Sequence, residues 1–355
     1  MRTLVVSDLH LGLRSKRDRL RDEDTLARLA RELSSVDRLV LLGDVIELRQ
    51  GPVREALGAA VPVLGKLREA LGPDAEVVVV PGNHDHHLVG GWLARRGAER
   101  PPDPLGSESA VDWAPGEPLA ALAGALGAER VRAAYPGVWL GGNVYATHGH
   151  YLDRHTTIPM FERLGAGAMA ALLKKPATEA ASAEDYEVVL GPIYAWLHAS
   201  AQFGTPARGA HSDGASARLW RQLRRGAREG GWRRQALRVG FPVAIAAMNR
   251  AGLGPLGRDI DGASLRQAPL LALGEVVRRL GIDAGHVLFG HTHRAGPLPG
   301  DDAADWRTPR GTRLLNVGSW VHEPGFLGPT PAASPYRAGF AGRIDGDGEP
   351  ELVNL

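Results

Sequence analysis

The chain has 355 residues, 42 Lys and Arg against 40 Asp and Glu, 44% hydrophobic residues and no cysteine. Near-balance of charge argues against a surface built wholly for nucleic acid, and the missing cysteines exclude disulfide staples, thiolate chemistry and iron–sulfur clusters. The apolar content gives one large α/β domain or two smaller ones ample core, and no apolar run approaches the roughly 20 residues that span a bilayer.

The first strand-forming run, Leu4-Val5-Val6, begins so early that no signal peptide fits before it, so a cytoplasmic location is the expectation. Apolar residues at helical spacing follow from Thr25 to Ser34 and from Val53 to Leu71, alternating with the β-branched runs Leu39-Val40-Leu41-Leu42 and Val77-Val78-Val79-Val80. Alternating β and α units predict a sheet that is mostly parallel at first. Pro and Gly between Pro101 and Pro118 predict a surface loop, and Val138-Trp139-Leu140 with Val144-Tyr145-Ala146 predicts a hairpin across Gly141-Gly142-Asn143. From Tyr151 to Leu280 the pattern is helical, over Met160–Leu173, Tyr186–Phe203 and Leu265–Leu280. Val287-Leu288-Phe289 returns to strand, and Arg313–Val317, Ala338–Ile344 and Glu351–Val353 predict further, antiparallel strands.

Five polar motifs stand just beyond five of these strands: Ser7-Asp8-Leu9-His10, Gly43-Asp44-Val45-Ile46-Glu47, Gly82-Asn83-His84-Asp85, Thr147-His148-Gly149-His150 and Gly290-His291-Thr292-His293. The loop after a strand's C-terminal end is where an open α/β sheet holds its polar groups stiffly. Imidazole mixed with carboxylate suits a divalent first-row ion, whereas an all-oxygen set would suit magnesium or calcium.

In order and in spacing these motifs resemble the calcineurin-like metallophosphoesterase superfamily, whose pattern is D-x-H, G-D-x-x-D/E, G-N-H-D/E, a lone His and G-H-x-H. The resemblance spans the first half and last quarter of the chain. It implies an α/β fold, a four-layer αββα sandwich of two mixed sheets, with residues 1–150 and 281–355 as the core and 151–280 as a mostly helical cap insertion. It implies two divalent ions, manganese first with iron or zinc as alternatives, one held by Asp8, His10, Asp44 and His293 and the other by Asp44, Asn83, His148 and His291, with Asp44 bridging. Two such ions, about 3.5–4 Å apart, supply a hydroxide nucleophile at neutral pH and clamp an in-line displacement. His84 would face the substrate and Glu47 would fix its tautomer; Asp85 reads as a cap for its own turn. The opening motif and the helical insertion also resemble UDP-2,3-diacylglucosamine pyrophosphatases, which usually carry Arg where this chain has His84; that departure points back to the broader superfamily.

Each residue also has a plainer reading. Asp8 or Asp44 alone could simply accept backbone N–H bonds at a turn, and His148 or His291 alone could be a satisfied polar residue; the joint pattern is what favours ligands. For His150, hydrogen bonding near the metals and loop packing both stand. His86 and His87 read as solvated loop, and His155, His198, His211, His286 and His322 as structural or surface residues. Arg218–Arg238 is rich in Arg with Trp220 and Trp232; it is either a solvated helix face or a surface for phosphate groups or an anionic membrane. The function implied is hydrolysis of a phosphomonoester, phosphodiester or pyrophosphate bond in a small or lipid-linked substrate. A nuclease or protein phosphatase on the same metals, and a non-catalytic scaffold, are the alternatives.

Overall fold

The computed structural model describes residues 1–98, 103–141, 143–158, 161–175, 180–202, 244–251, 253–257 and 262–355. Among the described residues ten strands form one sheet, nine of them along the path β10-β9-β1-β2-β3-β5-β6-β7-β8 and β4 off it on β5. They are β1 (Arg2–Val6), β2 (Arg38–Leu42), β3 (Glu76–Val80), β4 (Glu108–Val111), β5 (Val131–Gly141), β6 (Val144–Thr147), β7 (His286–Phe289), β8 (Arg313–Asn316), β9 (Phe340–Asp345) and β10 (Glu351–Asn354). The pairs β1·β2, β2·β3, β3·β5, β6·β7 and β7·β8 are parallel, and those through β4, β9, β10 and the β5·β6 hairpin are antiparallel.

The long strand β5 carries the expected two-sheet arrangement. Val131 to Ala133 pair with β3, while Gly137 to Gly141 pair with β6, so one strand belongs to both halves of a mixed sheet. The halves bury a common core, Val5, Val40, Leu42, Val78 and Val80 from one and Val138, Leu140, Val144, Ala146, Leu288 and Leu315 from the other. Alternation along each strand puts these side chains on one face.

Helices cover the sheet in the order the periodicity predicts, with boundaries set by caps. α1 (Glu23–Leu33) starts before Thr25 because Asp22 accepts the Thr25 N–H at 3.0 Å, and Thr25, Leu26, Leu29 and Leu33 form its buried face. α2 (Val53–Ala70) buries Ala56, Ala60, Leu64 and Leu67. Two short helices, α3 (Gly90–Ala98) and α4 (Pro118–Leu126), were not predicted. Nor was β4, which lies inside the stretch read as a Pro- and Gly-marked loop; Glu108 to Val111 pair with Pro136 to Ala133.

The chain divides into two compact units. One comprises Met1–His150, Tyr194–Pro206 and Ile282–Leu355, the other Tyr151–Ile193 and Ala207–Gly281. In the second lie α5 (Phe161–Leu172), the first part of α6 (Ala183–Gln202) and α7 (Gly262–Arg279). It is pinned by buried arginines that donate to backbone carbonyls, Arg154 to Asp185 and Lys175 and Arg163 to Thr156, and by Tyr151 stacked on Tyr186 at 4.6 Å. Arg218–Arg238 and His211 lie outside the described residues. Among the described residues no helix is long and apolar enough to cross a membrane.

Leu288 is fully buried between the two halves, so Leu288→Ala should cost about 2–5 kcal/mol. Val61→Ala on the 39%-exposed face of α2 should change stability by less than about 0.5 kcal/mol. Urea denaturation of both variants checks the contrast; equal losses would show that the inter-sheet core is placed wrongly.

Candidate metal centre

The five motifs leave the C-terminal ends of β1, β2, β3, β6 and β7, and all of their side chains belong to one compact unit. Left-handed backbone brings them together. Seven described non-glycine residues have positive φ, and five of them are Asp8 (55°), His10 (45°), Asp44 (52°), His291 (65°) and His293 (58°). That conformation costs an L-residue about 1–2 kcal/mol, so it persists only where the surroundings over-determine it. Repeated at Asp8 and His10, and at His291 and His293, it turns side chains two residues apart toward the same centre.

Two glycines make room for this. Gly43, at φ +82°, lies against the His148 ring, and a Cβ at Gly290 would collide with Ser7 and Asp8. Asp85, read as a cap, accepts N–H bonds from Gly82 (2.7 Å), Asp44 (3.2 Å), Val45 (2.7 Å) and Ile46 (3.4 Å), tying the second motif to the third. Burial and the Asp44 charge push Asp85 up to about 6, against the pull of those N–H groups.

Each ligand carboxylate has one oxygen occupied and the other aimed inward. Asp8 Oδ2 accepts from the Ser7 hydroxyl (2.6 Å) and the His291 N–H (3.0 Å), while Oδ1 is buried with no well-directed hydrogen bond, 3.2 Å from His293 Nε2 and 3.8 Å from His10 Nε2. Asp44 Oδ1 accepts the His84 N–H (2.7 Å); Oδ2 lies 3.6 Å from His10 Nε2 and 3.3 Å from His148 Nε2. His10 and His293 approach through Nε2 at 3.2 Å. Asn83 Oδ1 is 3.1 Å from both His148 Nε2 and His291 Nδ1. All seven predicted ligands therefore meet in one cluster, in which Asp44 Oδ2 approaches both His10 and His148 and Asp8 lies within reach of His293, His10 and His148.

These are spacings between Lewis bases, and they match donors around a cation. Ligands at about 2.1 Å from an ion lie roughly 3.0–3.4 Å from one another. The outer ring atoms are spoken for: His148 Nδ1–H donates to Leu42 O (3.0 Å), His10 Nδ1–H to Glu47 Oε2 (3.2 Å), and His293 Nδ1 faces Glu323 Oε1 at 3.5 Å. Such partners leave the inner nitrogen's lone pair for a metal. Without cations, protons do their work. Burial would depress the histidines, but Asp44 and Asp8 raise His148 to about 9, and Asp8 and Glu323 raise His293 to about 10. Burial would raise Asp8 and Asp44, and the same imidazoles hold both well below the carboxylate range.

His84, which also lies close enough to His10 and Asp44 to join a metal-holding group, differs from the expected ligands in standing open, its side chain 27% exposed against 4% for His10 and 0% for His148. Its Nδ1 is 2.9 Å from Glu47 Oε2, which leaves Nε2 as the outer ring nitrogen. Glu47, expected to orient His84, serves His10 with the same oxygen. Burial opposes its charge, yet His84 and His10 keep it well below its usual range.

Other placements differ from the sequence reading. His86 and His87 open a 3-10 helix (His86–Val89) rather than a solvated loop, because the Leu88 N–H bonds back to Asp85 O and buries Leu88 and Val89. His86 is buried near Tyr135 (5.9 Å) and Tyr194 (5.2 Å), and His87 stacks on His198 at 3.8 Å. His198 Nδ1–H donates to Leu48 O, and burial lowers the ring to about 4. His150 is a buried neighbour of His148 (5.6 Å) and bonds to the Tyr135 hydroxyl through Nε2 at 3.1 Å. Sequence reasoning missed Glu323, Asn316 and Arg49. Asn316 Nδ2 clamps the last motif through Gly290 O and Thr292 Oγ1, both at 2.9 Å; Asn316 was noted only as part of a strand.

No curated protein matches the chain. Among solved structures it is similar to the cold-active protein-tyrosine phosphatase of the psychrophile Shewanella sp., at 13% identity over 99% of this chain and 80% of that one, with a TM-score of 0.28. It is similar also to a point mutant of a cold-active protein tyrosine phosphatase, at 14% identity with the same coverage and TM-score. The model of the calcineurin-like phosphoesterase family matches residues 1–295. The chain belongs to that family, which implies phosphoester hydrolase activity and an affinity for divalent metals.

Proposed function

We propose that the protein hydrolyses a phosphoester or pyrophosphate bond at a dinuclear centre, with Asp8, His10, Asp44 and His293 around one divalent ion and Asp44, Asn83, His148 and His291 around the other. The observation that carries this reading is Asp44 Oδ2, which stands 3.6 Å from His10 Nε2 and 3.3 Å from His148 Nε2 and so adjoins both donor groups. When bound, the ions supply a nucleophilic water at neutral pH and neutralise charge on the phosphoryl oxygens. His84 handles the proton. With Nδ1–H held by Glu47, Nε2 presents its proton to the leaving-group oxygen as the P–O bond breaks, and the carboxylate steadies the imidazolium before transfer. A non-catalytic scaffold is disfavoured because the sequence keeps every expected donor and His84.

Manganese is the ion we propose, a small or lipid-linked phosphate compound the substrate class, and the cytoplasm the site of action. The helical insertion and the Arg-rich stretch Arg218–Arg238 support that substrate class and a peripheral contact with anionic membrane.

Two substitutions separate holding metal from moving protons. Asp44→Asn should reduce bound manganese from two ions per chain to one or none and abolish hydrolysis of a nitrophenyl monoester or diester. His84→Asn should keep the metal and lower kcat about 10²–10⁴-fold. Elemental analysis beside steady-state kinetics reads both; full metal content and activity in Asp44→Asn would refute the shared ligand.

Metal uptake should also release protons, since His148 and His293 are protonated below about 9 and 10 and must lose the inner proton to bind. His10 is raised above its usual value as well, so at neutral pH two or more protons should leave per chain, and manganese affinity should fall as pH drops through the range below 9. Calorimetry in buffers of different ionisation enthalpy measures the count. Affinity that does not change between pH 6 and 9 would contradict it.

A further inference from the structure

The end of α6 stands apart from the rest of the insertion. Tyr194–Pro206 belong to the compact unit that holds the metal motifs, although the sequence pattern assigns all of 151–280 to the cap. Tyr194, His198 and Gln202, spaced four apart, share one face of the helix. His198 touches two motif loops with one ring. Its Nδ1–H donates to Leu48 O at 3.2 Å, and its face stacks on His87 at 3.8 Å with the planes 16° apart. Leu48 follows Glu47 directly, and His87 stands three residues beyond His84. The ring therefore bridges the same two loops that the Glu47–His84 bond joins at 2.9 Å.

Its neighbours on that face seat it. Gln202 Oε1 accepts the Val53 N–H at 3.0 Å and its Nε2 donates to Gly51 O at 3.1 Å. Pro52 gives α2 no side-chain cap, so this remote amide takes one of the N–H groups that a helix start leaves over. Tyr194 lies beside His86 at 5.2 Å and under the Arg49 guanidinium at 4.9 Å.

We propose that His198, seated by Gln202, is a positioning residue for proton transfer: it sets the gap between the loops of the second and third motifs and so keeps Glu47 against His84. The inference rests on the reading of His84 as proton donor. A side-chain bond between two loops is only as constant as the gap between them, and a misplacement of about 1 Å originating far from the chemistry can cost about 10²-fold in rate. The expected ligands are fixed otherwise. Asp85 ties the Gly82 and Asp44 backbones together, and the first motif is bonded to the second through His10 N–H to Asp44 O, Leu11 N–H to Val45 O and Glu47 N–H to Leu11 O. His10 thus stays in register with Glu47, and loosening at His198 reaches His84 alone.

The test compares wild type with His198→Leu, which removes the ring and its donor, His198→Asn, which keeps an N–H near the Nδ1 position, Gln202→Leu, and His84→Asn as the reference for a missing proton donor. Substrates are the mono- and diesters of nitrophenol and of phenol, because phenolate is the poorer leaving group and depends more on protonation. Elemental analysis gives manganese content and circular dichroism checks folding. In His198→Leu kcat should fall about 10–100-fold on the phenyl esters and distinctly less on the nitrophenyl esters, with KM and manganese content as in wild type. Gln202→Leu should show a smaller loss of the same kind, and His198→Asn should lie closer to wild type than to His198→Leu.

A residue that merely stabilises the fold would lower activity on both leaving groups alike. Equal losses in His198→Leu overturn the proposal, and so do loss of manganese in step with activity and a kcat on phenyl esters within twofold of wild type. His198→Asn no better than His198→Leu overturns the role of the Leu48 bond. Should His84→Asn lose activity equally on both leaving groups, the proton-donor reading falls and the proposal with it; should His84→Asn show the unequal loss and His198→Leu not, the proposal falls alone. Wild type that takes up no manganese overturns the dinuclear reading.

Discussion

Three carboxylates, Asp8, Asp44 and Glu47, are each at most 1% exposed and crowd one cluster of imidazoles, and most of the surrounding architecture follows from keeping them there. Buried negative charge of this density is tolerable only against compensating positive charge. The imidazoles carry it as protons, which is why the histidines titrate high and the acids low. The same field that holds protons on His148 and His293 would draw a cation. Left-handed backbone at five of the expected ligands, and Gly43 and Gly290, which let one side chain lie against the next, are the conformational cost of packing so many donors at 3.1–3.8 Å.

How legible this was in the sequence depended on the distance over which each contact acts. A strand followed by a tight polar turn is local, so the five motifs and the parallel strands behind them could be read directly, and all seven expected ligands meet. Asp85 was legible as a cap for the same reason. The partners that orient the ligands were not. Glu323 meets His293 from a loop after β8, Asn316 reaches back to Gly290 and Thr292, and His198 on α6 meets Leu48 across 150 positions. No spacing rule connects such pairs. β4 was hidden by composition: Gly106 and the prolines around it signal a loop, and Glu108–Val111 becomes strand only because β5 offers it an edge.

Glu47 ties the expected ligand His10 to the expected proton donor His84. One oxygen, Oε2, receives Nδ1 of both His10 and His84, and the other receives the backbone of Arg49. A single buried carboxylate thus sets the tautomers of His10 and His84 and the starting point of the Arg49 side chain. Loss of Glu47 would strike all three at once, so a change there reads as failure of a unit, not as one contact's worth.

The two donor groups are unequal in how they are backed. His10 and His293 lean on carboxylates, Glu47 and Glu323, and share their group with Asp8. His148 leans on a backbone carbonyl, and its group has a neutral amide, Asn83, with Asp44 as its one acid. A carboxylate behind an imidazole makes it a more basic ligand, so the first group is the more negative and the more electron-rich.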